Sequence, residues 1–249
     1  FSHAEGRDTI ADGEYSHAEG ISTKSIGAAS HTEGTGTSAT TTGGHAEGAF
    51  TISAGISAHA EGSNTEAIGS QSHAEGQFTQ ALGSYSHSTG RKTIADGDGS
   101  YAGGVGGTDE EVIATGATSF AHFFIQEGTG LGRKGAQGDY SAILGGRDQN
   151  ITKTATTGSI IIGGQWNEIS RSEHSGIISG NHNWITGDTT GTITSNFIGG
   201  GVHNIIRGPG LSHAPAFKIQ KYNTILGGDN NLISGHTISN SIIGGTFNS

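Results

Sequence analysis

Residues 16–34 read S-H-A-E-G-I-S-T-K-S-I-G-A-A-S-H-T-E-G and contain one full copy of a unit that fills the first hundred residues. Its S-H-x-E-G segments start fourteen residues apart, and Gly recurs at a step of seven that is broken once, at Thr41. Regular Gly at this step is incompatible with a coiled coil, and collagen needs Gly at every third residue. The unit therefore predicts two short strands and two turns, which together form one coil of a parallel β-roll or β-solenoid.

Alternation of side chains across a strand predicts which residues of the unit face inward. Ser and Ala of S-H-A-E-G share one face with the Ala of the second strand, so the expected interior is almost entirely Ala, Ser and Thr. Such small side chains bury too little apolar surface to stabilise a lone chain. We therefore expect an obligate homotrimer, with the recurring His and Glu on the interface between chains. This predicted ladder comprises His3, Glu5, His17, Glu19, His31, Glu33, His45, Glu47, His59, Glu61, His73, Glu75 and His87.

Two arrangements of the ladder are open, and they differ in their response to pH. Pairing of each His with a Glu of a neighbouring chain would raise the His pKa, whereas crowding of the imidazoles would lower it. We expect the first arrangement, because Glu accompanies six of the seven His. Metal binding by the seven His is an alternative. Thr41 is expected in an altered turn, because residues other than Gly seldom adopt positive φ.

The unit resembles the head repeats of YadA-like trimeric autotransporter adhesins, which carry S-x-A-x-G twice per coil. Its S-H-A-E-G form is similar to repeats of phage tail fibre and appendage proteins. The resemblance covers residues 1–104 and implies a left-handed parallel β-roll that is trimeric and lies on a virion surface or outside the cell.

A second and looser repeat, [S/N]-x-[IF]-[IL]-G-G-x-x-N-x-I, fills residues 141–249 and predicts a β-solenoid with wider, irregular coils. Its copies are aligned at Ser141, Ser159, Ser175, Ser195, Asn223 and Asn240. The recurring Asn are expected to bond neighbouring backbone groups. We assign residues 1–104 to the first roll and residues 105–140 to a connector. Long insertions between repeats and the aromatic patch of the connector are candidate receptor loops, with Phe120, Phe123, Phe124, Pro209, His213, Pro215, Lys218 and Tyr222 as their residues.

Composition and motifs argue against several classes of function. The chain has 249 residues with 46 Gly, no Cys and a net charge of −10, and its few Lys and Arg form no stripe. These features disfavour disulfide scaffolds, Cys-ligated metal sites and nucleic-acid binding, and the sequence has no stretch apolar enough to insert into a membrane. The G-x-G-x-x-G match at 130–135 lacks a following helix, so no cofactor is expected. We predict no catalytic residues and no enzymatic activity.

The sequence therefore predicts a structural segment of a phage tail fibre or appendage. It would act as a rigid spacer and bind a glycan or protein of the host surface, on the virion or outside the cell. The head of a bacterial trimeric adhesin is the first alternative, and a tailspike-like glycan depolymerase is the second. Because both ends fall inside repeats, we expect the chain to be part of a longer protein.

Overall fold

The computed structural model describes residues 1–125, 134–153, 156–187, 193–208, 221–235 and 238–249. Across these residues the secondary structure is entirely β, and none of them forms a helix that could cross a membrane. The strands form long parallel sheets, which confirms the all-β class and is consistent with a β-solenoid. The chain divides into two compact units, residues 1–114 and 115–249, and the boundary lies inside the predicted connector. The connector role of 105–140 stays a prediction.

The first unit alternates five-residue strands with strands of two or three residues, two per fourteen-residue repeat. They are β1 (His3–Arg7), β2 (Ile10–Ala11), β3 (His17–Ile21), β4 (Lys24–Ser25), β5 (His31–Thr35), β6 (Ser38–Ala39), β7 (His45–Ala49), β8 (Ile52–Ser53), β9 (His59–Ser63), β10 (Glu66–Ala67), β11 (His73–Gln77), β12 (Gln80–Ala81), β13 (His87–Arg91), β14 (Thr93–Ala95), β15 (Tyr101–Val105) and β16 (Val112–Ala114).

Successive coils of the first unit stack in a constant register. The long strands pair in parallel from β1 to β15, and the short strands pair in the same way from β2 to β16. His45 lies opposite His59 and Glu47 opposite Glu61, so each residue meets its equivalent in the next repeat. This register confirms the two-stranded coil predicted from the fourteen-residue unit.

The interior of this unit consists of small side chains, as the alternation pattern predicts. Ala46, Ala60 and Ala74 on the long strands are fully buried, and so are Thr51 and Thr65, which precede short strands. Some hydroxyl groups in this interior make hydrogen bonds, and those of Ser88 and Thr93 lie 2.7 Å apart, whereas Thr51 Oγ1 and Thr65 Oγ1 are buried and make none. Each coil therefore buries several methyl and hydroxyl groups, each worth far less than a buried Leu or Phe.

Two series of Gly allow the coils to approach, for different reasons. Gly76 on β11 has φ +111°, and a Cβ atom there would lie 2.1 Å from the carbonyl oxygen of Gly90 in the next coil. Gly69 in the turn does not have positive φ, but its Cβ atom would lie 1.9 Å from the carbonyl oxygen of Gly83. The left-handed turn residue is the one two positions later, such as Gln71 with φ 55°.

Thr41 occupies the turn position of that second series, so the reason given for an altered turn was wrong. Its φ is not positive, and Gly43 takes the left-handed position of that turn. The turn does differ in its hydrogen bonds. Elsewhere the turn Gly donates to a carbonyl of the next coil, as Gly69 does to Ala81 at 3.2 Å. In this fully described unit the Thr41 N–H makes no such backbone bond, and its Oγ1 donates to the Gly55 carbonyl at 2.6 Å instead.

The contact between coils predicts the effect of adding one methyl group. Gly76→Ala should destabilise the fold by at least about 3 kcal/mol, because it combines backbone strain with a steric clash against a backbone that cannot move freely. Gly163→Ala is the matched control, since among the described residues no atom lies within 4 Å of its added Cβ and its φ is not positive. Denaturant unfolding of both variants measures the difference. Equal stabilities of the two variants would contradict this account of the spacing.

The second unit continues the parallel arrangement with shorter strands. They are β17 (Phe120–Phe124), β18 (Lys134–Ala136), β19 (Ala142–Ile143), β20 (Asn150–Ile151), β21 (Ile160–Ile161), β22 (Glu168–Ser170), β23 (Ser172–Glu173), β24 (Gly176–Ile177), β25 (Trp184–Thr186), β26 (Ile193–Thr194), β27 (Phe197–Ile198), β28 (Ile205–Arg207), β29 (Thr224–Ile225), β30 (Leu232–Ser234) and β31 (Ser241–Ile242).

The coils of the second unit are longer and unequal, as predicted, but one repeat is aligned differently. Bridges join Arg147, Gln165, Asn181, Val202, Asp229 and Thr246, at steps of 18, 16, 21, 27 and 17 residues. In the fourth copy Ile198 is fully buried while Phe197 is half-buried, and the Asn196 N–H donates to the Ser175 hydroxyl. Asn196, and not Ser195, is therefore the equivalent of Ser175. The alignment was ambiguous because three consecutive Gly follow Ile198.

Stacked Asn side chains line the interior beside the buried Ile, which confirms the expected bonding to backbone. The Asn204 N–H donates to Asn183 Oδ1 at 3.0 Å, and Asn204 Oδ1 accepts from the Asn231 N–H at 3.1 Å. Its Nδ2 donates to the carbonyl oxygens of Gly200 and Gly228. Each such Asn joins three successive coils, and loss of a buried bond of this kind costs about 1–3 kcal/mol.

Candidate functional site

The predicted ladder exists as a continuous stack of imidazole rings on the outer face of the long strands. Neighbouring rings from His17 to His87 have centroids 4.5–5.0 Å apart, and the His45 and His59 rings are nearly parallel, with 1° between their planes. The constant strand register causes this stacking, because it places each His directly beside the His of the next coil. At the C-terminal end of the stack the next ring is that of Tyr101, which lies edge-on to the His87 ring.

Four Glu of the ladder lie at ion-pair distance from the His of their own coil, namely Glu5, Glu19, Glu47 and Glu61, whereas Glu75 lies 3.7 Å from His87 of the next coil. The distance from His45 Nε2 to Glu47 Oε2 is 3.7 Å, and the same distance separates His59 from Glu61. These side chains are about one-third exposed, and the separation exceeds that of a hydrogen bond. His45 and His59 therefore each have a Glu of their own chain at ion-pair distance, whereas the expected partner was a Glu of a neighbouring chain.

The pKa values of three imidazoles in the stack shift in the direction opposite to the one expected. Burial, followed by repulsion from adjacent rings, lowers the pKa of His31, His59 and His87, although the nearby Glu carboxylates act in the raising direction. A hydrogen bond shared with Glu47, with burial second, raises the pKa of Glu61. Within a single chain the pKa of these three His is therefore lowered and not raised, because burial and repulsion from adjacent imidazoles outweigh the nearby carboxylates. Pairing with a Glu of a neighbouring chain stays a prediction.

The lowered pKa values predict acid sensitivity. Between the lowered folded pKa and the unfolded value of about 6.5, the unfolded chain binds more protons, so stability is present above this range and is lost as the pH falls through it. We expect the melting temperature, measured in the presence of a chelator, to fall between pH 7.5 and pH 5.5. This window lies above the range in which unperturbed Glu carboxylates titrate. The triple variant His31→Gln, His59→Gln, His87→Gln should show a flatter profile. A melting temperature that holds or rises on acidification would restore the pairing account.

A stripe of exposed apolar side chains runs along the second unit. The second apolar residue of each repeat motif points outward, while the first is buried inside the coil. Five of these outward residues form what we call the apolar stripe, at 38–79% exposure, and Gly199 takes the corresponding place in the fourth copy. They are Leu144, Ile162, Ile178, Leu226 and Ile243. Repetition of a large apolar residue at one outward position is the pattern of a surface that another chain covers.

A groove of about 740 Å³ lies on another part of the second unit, and both Trp of the chain line it. Trp184 is 43% exposed, and Trp166 is packed between the Arg147 guanidinium, 5.4 Å from its ring centroid, and the His182 ring at 4.6 Å. Glu168 lies opposite Trp184 in the sheet. We call this site the tryptophan groove.

The groove offers the contacts that suit a sugar. Glu168 brings a carboxylate, Asn150 an amide and Thr186 a hydroxyl group, next to the Trp rings. Aromatic faces pack against the apolar C–H face of a sugar ring, and the polar groups can bond its hydroxyls. The sequence analysis missed this site, because its residues come from four successive coils. The sequence does contain a signal for this site: Trp166 precedes Asn167 and Trp184 follows Asn183, and both Asn belong to the recurring Asn of the second repeat.

The predicted receptor residues differ in their exposure to solvent. Phe124 is 47% exposed and Tyr222 is 59% exposed, so both rings are accessible, and Phe120 is half-buried. Phe123 is only 4% exposed and faces the interior, so the prediction is corrected at this position. Four further candidates, Pro209, His213, Pro215 and Lys218, lie outside the described residues. The accessible three are not among the residues of the tryptophan groove.

Comparison with known proteins adds no relative: no protein-family model and no curated protein matches the chain.

Proposed function

We propose that this chain is a structural segment of a trimeric fibre, such as a phage tail fibre or appendage, that acts as a spacer and binds the host surface. The observation that carries the proposal is the pairing of a small-residue interior with a repeated, outward apolar stripe. Fully buried Ala such as Ala60 stabilise the first unit only weakly, while side chains such as Leu226 stay in water in the single chain. Chains of this kind gain stability by association.

The energetic argument favours association of identical chains. Transfer of one Leu or Ile side chain from water into an interface contributes about 1.5–3 kcal/mol. The stripe repeats its apolar residue at one position per coil, so an identical chain related by rotation would present the same stripe at the same height. We propose three chains, because the first-unit repeat resembles the head repeat of trimeric adhesins.

The trimer can be tested by charging the stripe. Light scattering of the purified chain should give the mass of three chains, and the double variant Ile162→Asp, Leu226→Asp should give that of one. Val202→Asp is the matched control, because Val202 is equally apolar, 38% exposed and bridged to Asp229, at a position that already tolerates a carboxylate. A folded monomer of the unmodified chain would overturn the proposal of obligate association.

Recognition of the host surface is assigned to the tryptophan groove, and we propose a glycan as its ligand. Trp184→Ala should weaken binding to a panel of bacterial surface polysaccharides at least tenfold, because it removes the exposed ring of the groove. Tyr140→Ala is the control, since its ring is 67% exposed and does not line the groove. Equal affinities of both variants would exclude the groove as the glycan site.

The same polysaccharide panel separates the alternatives. Release of reducing ends during incubation would favour a tailspike-like depolymerase over a binding module. The head of a bacterial trimeric adhesin shares the fold and the small-residue interior with a phage fibre. A membrane-anchoring domain encoded in the full-length gene would favour the adhesin, whereas neighbouring virion genes would favour the phage fibre.

A further inference from the structure

We propose that the His/Glu ladder binds divalent transition-metal ions of the Zn²⁺ type between successive coils of a single chain. Three triads have their ligand atoms within 4.8 Å of one another. They are His45–Glu47–His59, His59–Glu61–His73 and Glu19–His31–Glu33. Each triad joins two adjacent coils, so this is a site that the fold creates by stacking.

The triads fit the geometry of such an ion after small side-chain rotations. Zn²⁺ binds imidazole nitrogen at about 2.0–2.1 Å and carboxylate oxygen at about 2.0–2.2 Å, so two ligand atoms of one tetrahedral ion lie about 3.4 Å apart. The ligand atoms of each triad lie within 4.8 Å of one another, so side-chain rotations must bring them closer by about 1 Å. Three protein ligands leave a fourth position of the tetrahedron for water.

Unsatisfied nitrogen atoms point to a ligand at these positions. The Nε2 atoms of His17, His31, His45, His59 and His73 are buried from solvent and make no hydrogen bond. A buried polar atom without a partner costs about 1–3 kcal/mol, and one such atom recurs in each successive coil. A metal ion would use the lone pair of a neutral imidazole.

The carboxylates give the ladder a matching charge. The Glu side chains stack at the spacing of adjacent strands, where like charges repel one another, and a cation between the coils would relieve this repulsion. A cleft of about 430 Å³ runs beside Glu5, Glu19 and Glu33 and gives the third triad room for water ligands. Imidazole ligands select Zn²⁺, Ni²⁺ or Cu²⁺ over Mg²⁺ and Ca²⁺, which prefer oxygen.

The two middle triads exclude one another. Both need His59, and a neutral imidazole has a single ring nitrogen with a free lone pair, so it binds one ion. At saturation the ladder should therefore hold two ions per chain, one in the middle region and one at Glu19–His31–Glu33. Among the described residues no triad forms at the C-terminal end of the ladder. There Thr89 replaces the ladder Glu, and its hydroxyl group donates to Glu75 Oε1 at 2.6 Å.

This exclusion gives a test that non-specific binding to surface His would fail. The full chain is stripped with chelator and titrated with Zn²⁺ by calorimetry, and the bound metal is counted by mass spectrometry after desalting. His59→Gln should lose one ion per chain relative to the unmodified protein, because both middle triads disappear. His45→Gln should lose none, because His59–Glu61–His73 remains. Mg²⁺ should not bind at the ladder.

Equal losses in His45→Gln and His59→Gln, or no uptake of Zn²⁺ by the unmodified chain, would overturn the proposal. Circular dichroism and the melting temperature in chelator establish that each variant folds. If His59→Gln does not fold, the carboxylates provide the same comparison. Glu47→Gln and Glu61→Gln should each keep one middle triad and lose no ion, whereas the double variant should lose one.

Discussion

Parallel hydrogen bonding between successive coils sets the spacing on which every other feature of this chain depends. At the points of closest approach the spacing leaves no room for a Cβ atom: one at Gly76 would lie 2.1 Å from a backbone oxygen of the next coil. The same spacing places equivalent residues side by side, so that a single side chain in the repeat becomes a column of identical side chains. The imidazole stack, the Asn ladder and the apolar stripe are three such columns, and their chemistry follows from repetition of one residue type at the distance between strands.

The period of the sequence predicts most of this architecture, because Gly at a fixed step is a direct signal of close backbone approach. The two-stranded coil, its small interior and the outward ladder all follow from alternation. Three features cannot be predicted from the period. First, the Gly of the turns are needed for close contact with the next coil and do not adopt positive φ, whereas residues as large as Tyr15 and Phe50 adopt the left-handed conformation. The fourth repeat of the second unit fits its motif in two registers, and only burial of Ile198 selects one. The tryptophan groove depends on which coils are neighbours, which a single repeat does not contain.

The ladder shows why composition alone does not give a pKa direction. A Glu two residues from each His suggests ion pairing, and within a coil the two groups do lie 3.7 Å apart at His45 and at His59. The same register also brings imidazole against imidazole at 4.5–5.0 Å. At His31, His59 and His87, desolvation and the neighbouring rings lower the pKa and exceed the effect of the partly exposed carboxylates. Each charged residue of a stacked repeat lies beside the same residue of the next coil. Like charges therefore repel one another along the column, an effect that an isolated ion pair does not have.

Unequal coil lengths in the second unit have a consequence for how such a chain can diversify. Its paired segments keep their register although the residue step between them varies from 16 to 27. Only the few residues that meet the adjacent coil are constrained, and the chain between them can lengthen at a cost in loop entropy that grows slowly with length. New surface sequence can therefore be inserted at one coil while the hydrogen bonds of every other coil stay as they are. The length of the outer segments and the pairing of the coils become separate properties of one chain.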